Sequence, residues 1–220
     1  MNMSIKAFVF DAYGTLFDVH SVKEKLEEQY PLKGEAISEA WRSRQVHYFM
    51  VRQLIHNYAS FEEVTSWALQ DALQVNGVTY NEEQVEQFMS VYEHLHPFEE
   101  VKDVLHQLQD HQLVVFTNGT QALSRPLLKN NGLDDMLRLL TADEQGIYKP
   151  DPMAYDYALK ELGVEKEEVL FMSSNPWDIT GAKSFGFQTA WIRRGKGEFP
   201  KLGFVPDYIY EDLTGILAFK

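Results

Sequence analysis

The chain has no cysteine among its 220 residues. Disulfides, thiolate metal sites and cysteine nucleophiles are therefore excluded, and the composition fits a cytoplasmic protein. No apolar stretch reaches the roughly 18 residues that a membrane span needs. The amino-terminal MNMSIKAFVF runs straight into a strand-like segment and lacks the cleavage site of a signal peptide. Basic residues are scarce: 20 Lys and Arg stand against 33 Asp and Glu, a net charge of −13. That balance argues against nucleic acid and against an anionic membrane as partners, because both demand a basic footprint. A small anion remains an acceptable ligand where positive charge is concentrated locally. Internal repeats, low-complexity tracts and linkers rich in Pro, Gly or Ser are also missing. The seven histidines, among them His47, His56, His94 and His96, lack metal-ligand spacing with carboxylates.

What is present divides into two textures. From about Val22 to Tyr92 the pattern is helical throughout: Ile37, Trp41, Tyr48, Val51, Leu54 and Ile55 recur near helical spacing, as do Phe61, Val64, Ala68 and Leu69. Asn81, followed by Glu82, Glu83 and Gln84, has the form of an N-cap with an acidic first turn. From Pro97 onward strands and helices alternate. A helix over Glu99 to Leu108 precedes the strand Leu113–Phe116, and a helix runs from near Thr120 to Asn131-Gly132. A further helix over Pro152 to Leu162 ends at Gly163, before the strand Val169–Met172. A last helix, Trp177 to Phe185, ends at Gly186 and leads into the strand Thr189–Ile192. This alternation predicts an α/β fold with a doubly wound, parallel, Rossmann-like sheet. Phe8-Val9-Phe10 belongs with these strands, so the helical stretch reads as an inserted small cap domain over 17–95. Residues 1–16 and 96–220 are then the α/β core.

In a parallel sheet the carboxyl ends of the strands share one edge, where ligands bind. Four polar clusters follow, or lie just beyond, strand-like or turn-like segments: Asp11 to Thr15, Thr117-Asn118-Gly119, Tyr148-Lys149-Pro150-Asp151, and Ser173-Ser174-Asn175-Pro176-Trp177-Asp178; the first, second and fourth directly follow VF, VVF and VLFM. Any one could be an ordinary helix cap or turn; four in one order are stronger evidence. Asp11, delivered by an apolar run and followed by a turn at Gly14 and Thr15, has the placement of a nucleophilic carboxylate.

This order resembles the haloacid dehalogenase superfamily, which also contains many phosphatases, and the resemblance covers essentially the whole chain. Within it, DAYGTLFD, WRSRQ, TNG, YKPD and SSNPWD are similar to the type II L-2-haloacid, or (S)-2-haloacid, dehalogenases. Two positions depart from the phosphatase pattern. Tyr13 stands where a phosphatase carries the Asp that protonates its leaving oxygen, and a phenol cannot do that at neutral pH. Ser174 stands at the first magnesium-ligand position of the last motif, leaving Asp11 and Asp178 as a poor site for a hard dication. No metal and no other cofactor is expected.

The resemblance implies hydrolysis of a short 2-haloalkanoate through an ester on Asp11, with inversion to the 2-hydroxy acid. It implies that Arg42 engages the substrate's anionic end and the departing halide, as a planar guanidinium suits. It gives Ala12, Tyr13, Thr117 and Asn118 as a carboxylate cradle. Lys149 is the charge that keeps Asp11 ionised and aimed, and Asp178 either orients Lys149 or activates the hydrolytic water. Thr15, Tyr155, Ser173 and Asn175 match further catalytic positions, and Tyr13, Phe61 and Trp177 an apolar wall. Plainer readings stand beside these. An Arg on a helix is most often solvated, Phe61 fits core as well as pocket, and Tyr155 suits a buried helix face. Trp41, Tyr48, Phe49 and Tyr58 can pack within the protomer or against a twin subunit, since such enzymes often form homodimers. A phosphatase of the same fold and a non-catalytic anion-binding relative are the competing functions.

Overall fold

The computed structural model describes residues 4–19, 21–195 and 197–220; residues 1–3, on which the reading of the amino terminus partly rests, lie outside them, as do 20 and 196. Strand β1 (Ala7–Phe10) is buried on both faces. Its alternation divides the core in two: Phe8 and Phe10 enter one apolar cluster, Ala7 and Val9 the other. The remaining sheet strands are β4 (Gln112–Thr117), β5 (Arg138–Thr141), β6 (Val169–Ser173), β7 (Gln188–Ile192) and β8 (Tyr208–Tyr210). With β1 they form a six-stranded sheet in the order β5-β4-β1-β6-β7-β8, parallel at every pairing. β1 is central, flanked by β4 and β6, so the ends of these three strands are neighbours. The direction of the chain reverses in strand order on either side of β1, which opens the ligand crevice of such sheets.

Helices α5 (Val101–Gln107), α6 (Gln121–Asn130), α7 (Pro152–Leu162) and α8 (Pro176–Phe185) connect the strands. Thr120 caps α6 by accepting from Leu123 N, and Asp151 caps α7 ahead of Pro152. Gly163 ends α7 at φ 66°, a conformation that costs a side chain but not glycine. The predicted boundaries hold to within one or two residues. β5 and β8 go beyond the sequence reading: β5 opens on a charged residue, and β8 is a three-residue edge strand with alternating exposure.

The inserted cap consists of α1 (Ser21–Gln29), α2 (Gly34–Leu54), α3 (Phe61–Val75) and α4 (Glu82–Ser90). Two short antiparallel strands, β2 (Phe17–Asp18) and β3 (His96–Pro97), pair where the chain leaves and rejoins the sheet layer. Capping boxes start α3 (Ser60 with Glu63) and α4 (Asn81 with Gln84), the second at the cap read from sequence. α2 buries Ile37, Trp41, Gln45 and Phe49 at steps of four residues. Each of the apolar three contributes roughly 1.5–3 kcal/mol by leaving water. Val51, Leu54 and Ile55 share the helical spacing but not the buried stripe; they are 40%, 77% and 56% exposed. Among the described residues no helix is long and apolar enough to cross a membrane.

Candidate active site

β1 delivers Asp11 to the edge of the sheet, where it is almost wholly buried. Its two carboxylate oxygens are treated differently. Oδ2 accepts from Thr15 Oγ1 at 2.9 Å, Ser173 Oγ at 3.2 Å and Asn175 Nδ2 at 2.8 Å. Oδ1 accepts from Lys149 Nζ at 2.9 Å. Three donors saturate one oxygen while the other keeps a lone-pair direction open. The donors come from the turn after β1, the last residue of β6 and the turn after β6, as two adjacent parallel strand ends allow.

Lys149 is completely buried. Its ammonium donates to Asp11 Oδ1, to Phe116 O at 2.9 Å and to Asp178 Oδ2 at 2.8 Å, using all three protons. Burial alone would lower its pKa, but Asp11 and Asp178 on either side hold it above the ordinary lysine value. Asp178 is also fully buried, and its other oxygen accepts from Tyr155 OH at 2.8 Å. Loss of solvation pushes the Asp178 carboxyl up to about 6 against the opposing pull of Lys149. Tyr155 is pushed well above the usual tyrosine range, by burial first and then by the Asp178 charge beside it. These positions suit an ammonium and not a magnesium ion. Lys149 bridges the two carboxylates, and the remaining Asp178 oxygen is hydrogen-bonded to a phenol. Among the described residues, no three or more His, Asp or Glu cluster in a way that could hold a metal.

Two amides organise the rim. Asn118 donates from Nδ2 to Lys149 O at 3.2 Å and accepts from Lys149 N at 2.8 Å, so its side chain clasps the Lys149 backbone. Thr117 Oγ1 accepts from Gly119 N at 3.0 Å within the same turn. Asn175 begins α8 without capping it. Its side chain instead joins Asp11 Oδ2 to Arg42, whose Nη2 donates to Asn175 Oδ1 at 3.1 Å.

Arg42 thus reaches from α2 in the cap to the sheet edge. Its other nitrogen, Nη1, donates to Gln45 Oε1 at 2.6 Å, and Gln45 is tied to Thr65 Oγ1 on α3 at 2.7 Å. Gln45 is wholly buried. Gln45 closes the WRSRQ motif, and a glutamine inside an otherwise apolar stripe is the available sequence signal for this tether, although the motif alone gives Gln45 no role. Phe61, at the start of α3, stacks on Tyr13 with ring centroids 5.4 Å apart. The Tyr13 hydroxyl lies over Gly119, where an added Cβ would sit 2.9 Å from it. Burial holds that phenol above the ordinary range, so it is no proton donor at neutral pH. Ala12 is buried beside these residues, and its carbonyl accepts from Thr15, Leu16 and Phe17. Trp177 is half-buried and meets Phe49 edge-on at 5.3 Å. All the candidate residues except Trp177, Phe61 and Thr117 are joined to the Asp11–Lys149 centre by hydrogen bonds or chain neighbourhood. Those three meet it through neighbours: Phe61 stacks on Tyr13, Trp177 meets Phe49, and Thr117 bonds Gly119 in the turn that carries Asn118.

A carboxylate on the central strand, an ammonium bridging it to a second carboxylate, and a helical cap reaching over them define a class, the haloacid dehalogenase-like hydrolases. The chain belongs to that family, which it matches over residues 5–186. It is 39% identical over 216 residues to haloacetate dehalogenase H-2 of Moraxella sp. (strain B), covering 97% of this chain and 96% of that protein. It is 37% identical over 216 residues to the (S)-2-haloacid dehalogenase of Pseudomonas sp. (strain YL), covering 97% and 93%. A solved structure of L-2-haloacid dehalogenase from Xanthobacter autotrophicus with chloropropionic acid covalently bound superposes with a TM-score of 0.90 at 33% identity, over 97% of both chains.

Proposed function

We infer that this enzyme hydrolyses short (S)-2-haloalkanoic acids to (R)-2-hydroxy acids through an ester on Asp11. The observation that carries the reading is the asymmetry of the Asp11 carboxylate. Oδ1, free on one side and aimed by Lys149, forms a bond to C2 while the carbon–halogen bond breaks and halide leaves with its electron pair. Halide needs no protonation, so the tyrosine at position 13 is no handicap. Oδ2 then becomes the ester carbonyl oxygen, facing Thr15, Ser173 and Asn175. Water adds to Cγ, and the three donors stabilise the oxyanion as it forms. Collapse breaks Cγ–Oδ1. The alcohol leaves with the original Asp11 oxygen and one proton of the water, the second proton passing to solvent.

Arg42 receives the substrate carboxylate and the departing halide; its guanidinium bonds the Asn175 side chain that also holds Asp11. Asp178, with both oxygens engaged, is a positioning residue for Lys149 and not the base for water. Asn118 keeps Lys149 in place from the core side, and Tyr13, Phe61 and Trp177 wall the alkyl chain. We take 17–95 as the cap and 1–16 with 96–220 as the core, the β2–β3 pair being the neck between them. A homodimer belongs to the same reading, supported by the outward apolar residues Val51, Leu54 and Ile55. So does a cytoplasmic location, supported by the cysteine-free composition.

The test is chloride release from (S)-2-chloropropionate in EDTA, with one turnover run in H₂¹⁸O. Chloride and (R)-lactate should appear, the label should enter Asp11, and Asp11→Asn should lose about a millionfold in rate, to background. Label found only in lactate overturns the ester route. Phosphate release from a monoester with magnesium, and no halide, overturns the assignment.

A further inference from the structure

Lys149 sits on a turn, Tyr148 to Asp151, that is gripped from both layers of the molecule. The core grips it through Asn118, as described. The cap grips it through Gln53, near the carboxyl end of α2. Gln53 Oε1 accepts from Tyr148 N at 2.9 Å, and Gln53 Nε2 donates to Asp151 Oδ2 at 2.6 Å. One side chain thus holds the residue before Lys149 and the residue two after it. Asp151 takes part without leaving its structural post, since its Oδ1 still caps α7 by accepting from Met153 N at 2.9 Å. The buried Tyr148 ring stacks on Phe49 of the same helix, centroids 5.1 Å apart, and its hydroxyl donates to Ala59 O at 2.6 Å.

We propose that Gln53 is a positioning residue for Lys149, through which the seating of the cap on the core sets the alignment of the ammonium between Asp11 and Asp178. The proposal rests on the function inferred above. Its physical basis is that the Lys149 side chain is long but fully enclosed, so its terminus follows its backbone. That backbone is referred, on both sides of Lys149, to a cap helix and not only to the sheet. Displacement of the turn by a fraction of an ångström lengthens three short hydrogen bonds at once. α2 also carries Arg42, eleven positions earlier, so one rigid element seats both cations of the site. Substrate capture by Arg42 and alignment of the nucleophile by Lys149 are thereby tied to the same cap position.

The arrangement permits a complementary exchange. Gln53→Glu keeps an acceptor for Tyr148 N, but its second oxygen faces Asp151 Oδ2, and repulsion drives the pair apart. Asp151→Asn keeps the helix cap, but an amide donor faces Gln53 Nε2. In the double variant the new amide at position 151 donates to the new carboxylate at position 53, and the clamp is restored with its direction reversed. Each single substitution should lower kcat on (S)-2-chloropropionate roughly tenfold with little change in KM, and the double should recover most of the loss. The singles should also move the acid limb of kcat to higher pH. Asp178 is faced by Lys149, Asp11 and Tyr155, and a loosened Lys149 leaves it easier to protonate. A merely structural role would lower thermal stability without moving that limb. Losses that add in the double variant, or an unmoved limb, overturn the proposal. Amide exchange at Tyr148 reads the clamp without any substrate: protection should fall in the singles and return in the double. If the wild type releases no chloride, the inferred activity fails while this measurement still decides the clamp. Unchanged Tyr148 protection in Gln53→Glu overturns it.

Discussion

Asp11 and Arg42 meet at Asn175 from opposite layers, and they are held in opposite ways. Asp11 follows the central strand and takes three of its four partners from the turn after it, the end of β6 and the turn beyond β6, and the fourth, Lys149, from the Tyr148–Asp151 turn. Its surroundings are buried, short-bonded and local to one sheet edge. Arg42 stands on a long helix and depends on Gln45, Thr65 and Asn175, contributed by three different segments. It is only half-buried. The sheet edge provides an electrostatic template that the cap grips at the Lys149 turn, and the cap provides a second charge whose position depends wholly on how two layers pack. A nucleophile benefits from the first arrangement, because alignment to a fraction of an ångström is what lowers its barrier. The role proposed for Arg42, admitting an anion and releasing a halide, benefits from the second.

Breaking the template should cost the most. Lys149→Met leaves Asp11 and Asp178 buried without their shared counter-ion, so chloride release should fall to background. Unfolding by urea should show a loss of roughly 3–5 kcal/mol. A variant that keeps wild-type stability would show that the ammonium is not what holds the two carboxylates together. A smaller effect follows from pH. Because desolvation raises the Asp178 carboxyl to about 6, it is half-protonated near that pH instead of in the ordinary carboxylate range, and a neutral Asp178 holds Lys149 less firmly. The wild-type kcat should therefore decline as pH falls through about 6. Asp178→Asn should be slow at every pH and lack that limb. A wild-type profile that stays flat from neutral pH to well below that value would remove Asp178 from the template.

Changes on the cap side should be milder. Arg42→Lys keeps the charge but loses the planar fork, and should reduce kcat/KM by about ten- to a hundredfold, most of it in KM. An unchanged KM would mean that the carboxylate is held elsewhere. Phe61→Leu removes the stacking partner of Tyr13 and should raise KM a few-fold, by about 1 kcal/mol, with kcat nearly intact. If it damages kcat as much as Arg42→Lys does, the wall is part of the alignment and the contrast between the two sides is weaker than drawn.

The strand ends are readable because each is an apolar run closed by a polar turn, and burial on both faces leaves a parallel strand little other composition. Asp11, Ser173, Asn175 and Asp178 can be placed at one edge on that basis, and Lys149 joins them through the order of its motif. Thr120 and Asn81 can be read as caps because capping is local. β5 and β8 escape because a strand at or near a sheet's edge is only partly buried, so its pattern is weak. Val51, Leu54 and Ile55 share the helical period of the buried stripe, and nothing local says that the core has ended. Gln53 is an ordinary glutamine in a helical stretch, and Gln45, though it closes the WRSRQ motif, shows no partner in the sequence. Their partners lie 20 and 95 residues away in the chain for Thr65 and Tyr148, and only packing brings them together.

The order of residues was sufficient to determine a parallel sheet with a helical insertion, a carboxylate at the end of its first strand, and the resemblance to a family that uses it. The sheet, the insertion and the place of the carboxylate follow from hydrophobic period and from turn chemistry, which act over a few residues; the family follows from the resemblance of the motifs. Tertiary structure alone decided which oxygen of Asp11 is saturated and which is open, that Asn118 clasps the Lys149 backbone, and that the cap holds the same turn through Gln53. The reason is physical. A carboxylate's reactivity depends on donors within about 3 Å, and those donors here are contributed by segments up to 164 residues apart.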